Sequence, residues 1–151
     1  NLLTGGYFLL KNRINSSINN IVMATIKRFE DLDVWKKSRT LAKIIYLITT
    51  SPKFGNDWML SNHLRKTSVS ILSNIAEGFE RDGNKEFVNF LSIAKGSCGE
   101  LRSQLYIAYD QGYINEDQFM EISNLAEEIS KSLKGLIVYL QNSNFKGIKN
   151  K

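Results

Sequence analysis

His63 and Cys98 are the first side chains to test for chemistry, because each is the only one of its kind among 151 residues. A protein metal site takes three or four ligands from histidine, cysteine or carboxylate, and neither residue has a second of its own type to join it. Cys98 falls on an apolar seam, where a thiol with no cation against it stays protonated and inert. His63 sits beside the apolar Leu64 and reads as a structural or surface histidine. A lone cysteine also excludes an internal disulfide, which suits a reducing cytoplasm. No glycine-rich phosphate loop follows a strand, since no strand alternation is found. These residues predict no catalytic group, no metal and no cofactor.

Three polar patterns remain. His63, Thr67, Ser70, Asn74, Glu77 and Arg81 recur at helical spacing and so share one face. Asn74 and Glu77 either tie down a helix end by hydrogen bonds or line a polar groove. Glu77 and Arg81 also form an i,i+4 pair in the favourable order. Next come the glycines of the segment Gly96-Ser97-Cys98-Gly99. A glycine inside a helix costs roughly 1 kcal/mol relative to alanine. Close approach by another helix would offset that, and Ser68, Ser70, Ser73, Ala76 and Gly78 supply a second small face. The contact lies within the bundle, between subunits or against a ligand. Asn74, Glu77, Gly78, Gly96 and Ser97 are therefore candidate packing or subunit-interface residues.

The third pattern is basic. The net charge is +5, of which Lys11 and Arg13 account for two. Lys36, Arg39 and Lys43 step by three and four and share one helix face, a geometry that can track phosphates. Arg39, Lys43, Arg65, Lys66, Arg81 and Lys85 are the candidate nucleic-acid contacts. The plain alternative is a solvated helix surface, since no recognised nucleic-acid motif accompanies them.

Long helices must position all of these groups. Phe87, Leu91, Ala94, Cys98, Leu101, Leu105, Ala108 and Gly112 alternate in steps of four and three, a heptad seam for lengthwise helix packing. Phe119, Ile122, Ala126, Ile129, Leu133, Leu136 and Leu140 form a second. An apolar face (Val34, Trp35, Ser38, Leu41, Ala42, Ile45, Ile48) predicts a helix over 32–50, opened by Glu30, Asp31 and Asp33 and stopped at Ser51-Pro52. The stripe Leu60, Leu64, Ser68, Ile71, Ile75 and Phe79 predicts another over 58–79. The heptad helices span 85–112, with Gly112 as stop, and 115–142, with Asn115 and Gln118 as a capping box. Short loops between long helices predict an all-α, antiparallel up-down-up-down four-helix bundle.

An apolar share of 42% and a charged share of 23% are ordinary for a globular domain. No apolar run is long enough to span a membrane. The Asn/Ser-rich stretch 12–20 reads as loop, and Met23 precedes the first strongly patterned segment. Residues 1–22 are thus expected to be a flexible extension outside a single domain over 23–151, whose polar, basic tail frays. A signal peptide fits poorly, because no basic region precedes the short apolar run at 7–10 and no small-residue cleavage site follows.

Three blocks carry a family resemblance: Phe29-Glu-Asp-Leu-Asp-Val-Trp35, Asn74-Ile-Ala-Glu-Gly-Phe-Glu-Arg81 and Glu86-Phe-Val-Asn-Phe-Leu-Ser-Ile-Ala-Lys-Gly-Ser97, followed by Glu100-Leu101. In this order and spacing the chain resembles the small four-helix-bundle proteins encoded in intervening sequences of bacterial 23S ribosomal RNA genes, over about residues 27–140. Leu72 stands where that family often has proline, which implies a straighter second helix. The resemblance implies a homo-oligomer, with homopentameric rings among relatives, and no enzyme activity. A related branch serves diversity-generating retroelements, where a basic pentamer surface binds nucleic acid and a reverse transcriptase. The chain is accordingly expected to be a cytoplasmic, non-catalytic accessory or assembly protein whose partners are its own copies, RNA or another nucleic acid, and a protein such as a reverse transcriptase. The rival expectation is a protein-interaction scaffold that binds no nucleic acid.

Overall fold

Four amphipathic segments become four helices: α1 (Asp33–Thr49), α2 (Trp58–Glu80), α3 (Asn84–Asp110) and α4 (Glu116–Asn142). The structure, a computed structural model, describes residues 26–81 and 83–143, and no strand occurs among them. The expectations for the extension 1–22 and for most of the C-terminal tail lie outside the described residues. Each helix packs on the next, and α1 packs on α4, so four helices enclose one core. Contacts run in opposite order along α2 and α3: Thr67 meets Gln104, and Ser70 meets Ser97. They do so again along α3 and α4, where Tyr106 meets Phe119 and Asn84 meets Leu140. Both neighbouring pairs are therefore antiparallel.

The α3 seam is buried from Phe87 through Ala108. Gly112 lies beyond the helix at φ +72°. Its N–H donates to the Tyr109 carbonyl at 2.9 Å, and that of Tyr113 donates to the Ala108 carbonyl at 2.9 Å. This is a Schellman ending, and the left-handed backbone it needs explains the glycine. The α4 seam departs from the heptad at its end. Ile137, not Leu136, is buried between Leu133 and Leu140, while Leu136 is only partly buried. A straight α-helix drifts by about 20° per heptad against a seven-residue repeat, so a long seam slips to the next position.

Local chemistry fixes the ends. Asn115 and Gln118 form the full capping box of α4: the Gln118 N–H donates to Asn115 Oδ1 at 2.8 Å, and the Asn115 N–H donates to Gln118 Oε1 at 3.0 Å. Asp57 caps α2 by accepting from the Leu60 N–H at 3.0 Å, and its other oxygen accepts from the Tyr113 hydroxyl at 3.1 Å. One carboxylate thus ties the start of α2 to the α3–α4 connection. The acidic opening of α1 is narrower than expected: Glu30 and Asp31 lie in a preceding 3₁₀ turn, Phe29–Asp31, and only Asp33 is in the first helical turn. The helix α2 runs unbroken for 23 residues.

Candidate functional site

Inside the bundle, α2 and α3 meet along a polar seam. Asn74 Nδ2 donates to the Ser70 carbonyl at 2.8 Å and to Ser70 Oγ at 3.1 Å, and Ser70 shares a 3.0 Å hydrogen bond with Ser97. One turn along, Gln104 Nε2 donates to Thr67 Oγ1 at 3.1 Å and to Glu100 Oε1 at 3.2 Å. Thr67 and Ser70 of the polar stripe of α2 are therefore answered by α3. Asn74 bonds back to Ser70 of its own helix, the residue that crosses to Ser97, and not to the α2–α3 turn. Glu77 is exposed and accepts from Arg81 at 2.8 Å, just beyond the helix end. Arg81 also lies over the Phe90 ring, 5.5 Å from its centroid. His63 is exposed and belongs to no cluster of potential metal ligands among the described residues.

The two glycine candidates separate sharply. A Cβ at Gly78 would lie 2.7 Å from Phe90 Cβ and 2.9 Å from Phe87 Cδ2, so Gly78 is where α2 and α3 touch. A Cβ at Gly96 or Gly99 would meet nothing within 4 Å. The expectation that Gly96 admits a neighbouring helix of the same chain is thus corrected. Gly96 lies two positions from the buried Ala94 and Cys98, which turns it to the outer face of α3. Cys98 itself is fully buried, and burial pushes its thiol up to about 12 against weak opposition from Lys95 and Arg102. It is not a nucleophile at neutral pH.

The six candidate cations occupy three places. Arg65 is tethered: its Nε donates to Thr49 Oγ1 at 2.8 Å, and its guanidinium lies 5.2 Å from the Tyr46 ring centroid. It straps α2 to α1 and is half-buried, so it is a poor phosphate contact. Its neighbour Lys66 is exposed on α2. At the opposite end Arg81 is paired and Lys85 is exposed. Arg39 and Lys43 share a concavity. They line an open groove of about 890 Å³ on α1 together with Arg28, Glu30, Trp35 and Lys36. Glu30 is held by Arg28 at 2.9 Å, and this keeps its carboxyl below the usual range. Lys36 reaches Asp33 only at 3.9 Å. The groove thus carries four cations against one carboxylate. Lys37, on the other flank of α1, pairs with Glu128 of α4 and is drawn away from it.

Sequence reasoning missed the partners Glu100 and Gln104. The available signal was their position: with Ser97 they flank the α3 seam at steps of three and four. Phe90, which meets both Gly78 and Arg81, had no comparable signal.

The comparisons agree with this architecture. No functionally curated protein matches the chain. A solved structure of a protein of unknown function from the S23 ribosomal protein family of Bacteroides thetaiotaomicron is similar, with a TM-score of 0.63 and 27% identity over 69% of this chain and 97% of that one. The family model described as 23S rRNA-intervening sequence protein matches residues 30–135, which take in α1, α2, α3 and most of α4. By that match the chain belongs to the 23S rRNA-intervening sequence protein family.

Proposed function

We propose that this protein is a non-catalytic, RNA-associated accessory or assembly protein that works as a homo-oligomer in the cytoplasm. The observation that carries the RNA reading is the α1 groove, where Arg39 and Lys43 face solvent with no ion-pair partner among the described residues. An excess of fixed cations in a concave surface attracts a polyanion and gains free energy by releasing its counterions. Lys66 and Lys85 supply secondary contacts. The partner is RNA, alone or within a complex that includes a protein such as a reverse transcriptase.

Self-association rests on a separate feature. Large apolar side chains are exposed at one end of the bundle, on both the α1–α2 and the α3–α4 hairpins. Tyr46, Leu47, Trp58 and Met59 lie on the α1–α2 side, with Leu47 71% and Trp58 70% exposed. Tyr106, Ile107 and Met120 lie on the α3–α4 side. Two different patches on one subunit support head-to-tail contact, which closes into a ring when the rotation permits. Several copies of a weak cationic groove then bind one long polyanion through avidity. The same apolar patches favour the second reading, a protein scaffold without nucleic acid.

The double variant Arg39→Glu/Lys43→Glu separates the two. RNA retention falls by about a hundred-fold or more at about 50 mM salt under the first reading, and unaltered binding falls steeply as salt rises. Salt-insensitive binding, or none, rejects it. Light scattering checks assembly: a monomer removes the avidity argument.

A further inference from the structure

We infer that the α1 groove takes single-stranded nucleic acid and that Trp35 is the surface on which one of its bases rests. The inference builds on the RNA-associated reading and adds a recognition element to it. A purely electrostatic surface would need only Lys36, Arg39 and Lys43, which span about 10 Å of helix axis. This groove also has an aromatic wall, because Trp35 lines it one turn before Arg39. Trp35 is partly buried, backed edge-on by Phe29 with ring centroids 5.0 Å apart. Its Nε1 is shut off from water and has no acceptor among the described residues. The indole is therefore held by packing alone, and a small rotation of the ring costs it no hydrogen bond. Cations beside an aromatic platform are the arrangement that binds unpaired strands, since every base has a face to stack and a phosphate to neutralise. A duplex keeps its bases stacked on one another and offers such a groove phosphates alone.

The test uses the two tryptophans. Trp58 is exposed, so Trp58→Phe leaves Trp35 as the only indole at little structural cost. In that variant a short oligouridylate is expected to cause a saturable loss of Trp35 emission, with the same midpoint as its binding by anisotropy. Tripolyphosphate and a duplex of equal length leave the emission unchanged. Replacing Trp35 by leucine weakens oligouridylate binding about ten-fold. If that variant unfolds, the quenching experiment stands alone. Binding of the oligonucleotide with unaltered Trp35 emission overturns the inference and leaves the electrostatic reading intact, as does equal quenching by tripolyphosphate. No binding of any RNA at about 50 mM salt overturns both.

Discussion

The α2–α3 seam and the outer faces of α1 and α3 are built from similar small and polar residues and use them in opposite ways. In the seam, Ser70 bonds to Ser97, Asn74 back to Ser70 and Gln104 to Thr67, and Gly78 brings two backbones close. On the outside, Gly96 and Gly99 face open space, and Arg39 and Lys43 form no ion pair among the described residues. A polar group or glycine is consumed by the fold where a second helix arrives and is left available where none does. Function should then be sought on the available side, and stability on the other.

Breaking the seam at its tightest point should give the largest effect on folding. Gly78→Ala places a methyl group 2.7 Å from Phe90 Cβ, and overpacking of this kind costs about 1–3 kcal/mol despite the better helix propensity of alanine. Thermal unfolding should show a drop of several degrees. An unchanged or higher midpoint would mean that α2 and α3 can part without penalty.

The buried side of α3 also predicts a pH dependence. The Cys98 thiol is held at about 12 against an ordinary value of 9.0. Above about pH 9 the unfolded chain releases this proton while the folded chain keeps it. The unfolded state then binds fewer protons, so stability falls as pH rises, by roughly 1.4 kcal/mol per unit between about pH 9 and about pH 12. Cys98→Ala should flatten the part of this slope that precedes tyrosine ionisation, measured by urea unfolding. An identical slope in the variant would assign it elsewhere.

Asn74→Ala removes two hydrogen bonds that steady Ser70 against Ser97, for a loss of about 1 kcal/mol. RNA binding should be unaffected, because the seam faces α3 and not the α1 groove. Reduced binding at full stability would connect the two regions.

The smallest effect has the opposite sign and sharpens the comparison most. Gly96→Ala fills empty space on a helix and should stabilise the isolated subunit by about 0.5–1 kcal/mol. If a second copy rests on that face, the same methyl group weakens assembly, and light scattering reads a smaller particle. A gain in stability with no change in particle size would show that Gly96 touches nothing in the oligomer.

Much of the fold was legible because helices are local objects. Asn115 and Gln118 cap α4 through groups three residues apart, and Gly112 ends α3 through a backbone conformation that it adopts most easily. The heptad of α3 was read directly, whereas that of α4 slipped from Leu136 to Ile137 through accumulated drift. The candidate site was less legible. Arg39 and Arg65 look alike on paper, yet one is open to solvent while the other is locked between Thr49 and Tyr46, 16 and 19 residues away in the chain.

Helix number, helix ends and the buried stripes followed from interactions spanning three or four residues, which any reader of the chain can count. The sorting of glycines and cations into bound and free depended on which surfaces met across the bundle. Those distances arise between residues far apart in the chain, and packing alone sets them. That is why Gly78 and Gly96, or Arg65 and Arg39, were equivalent until the helices were assembled.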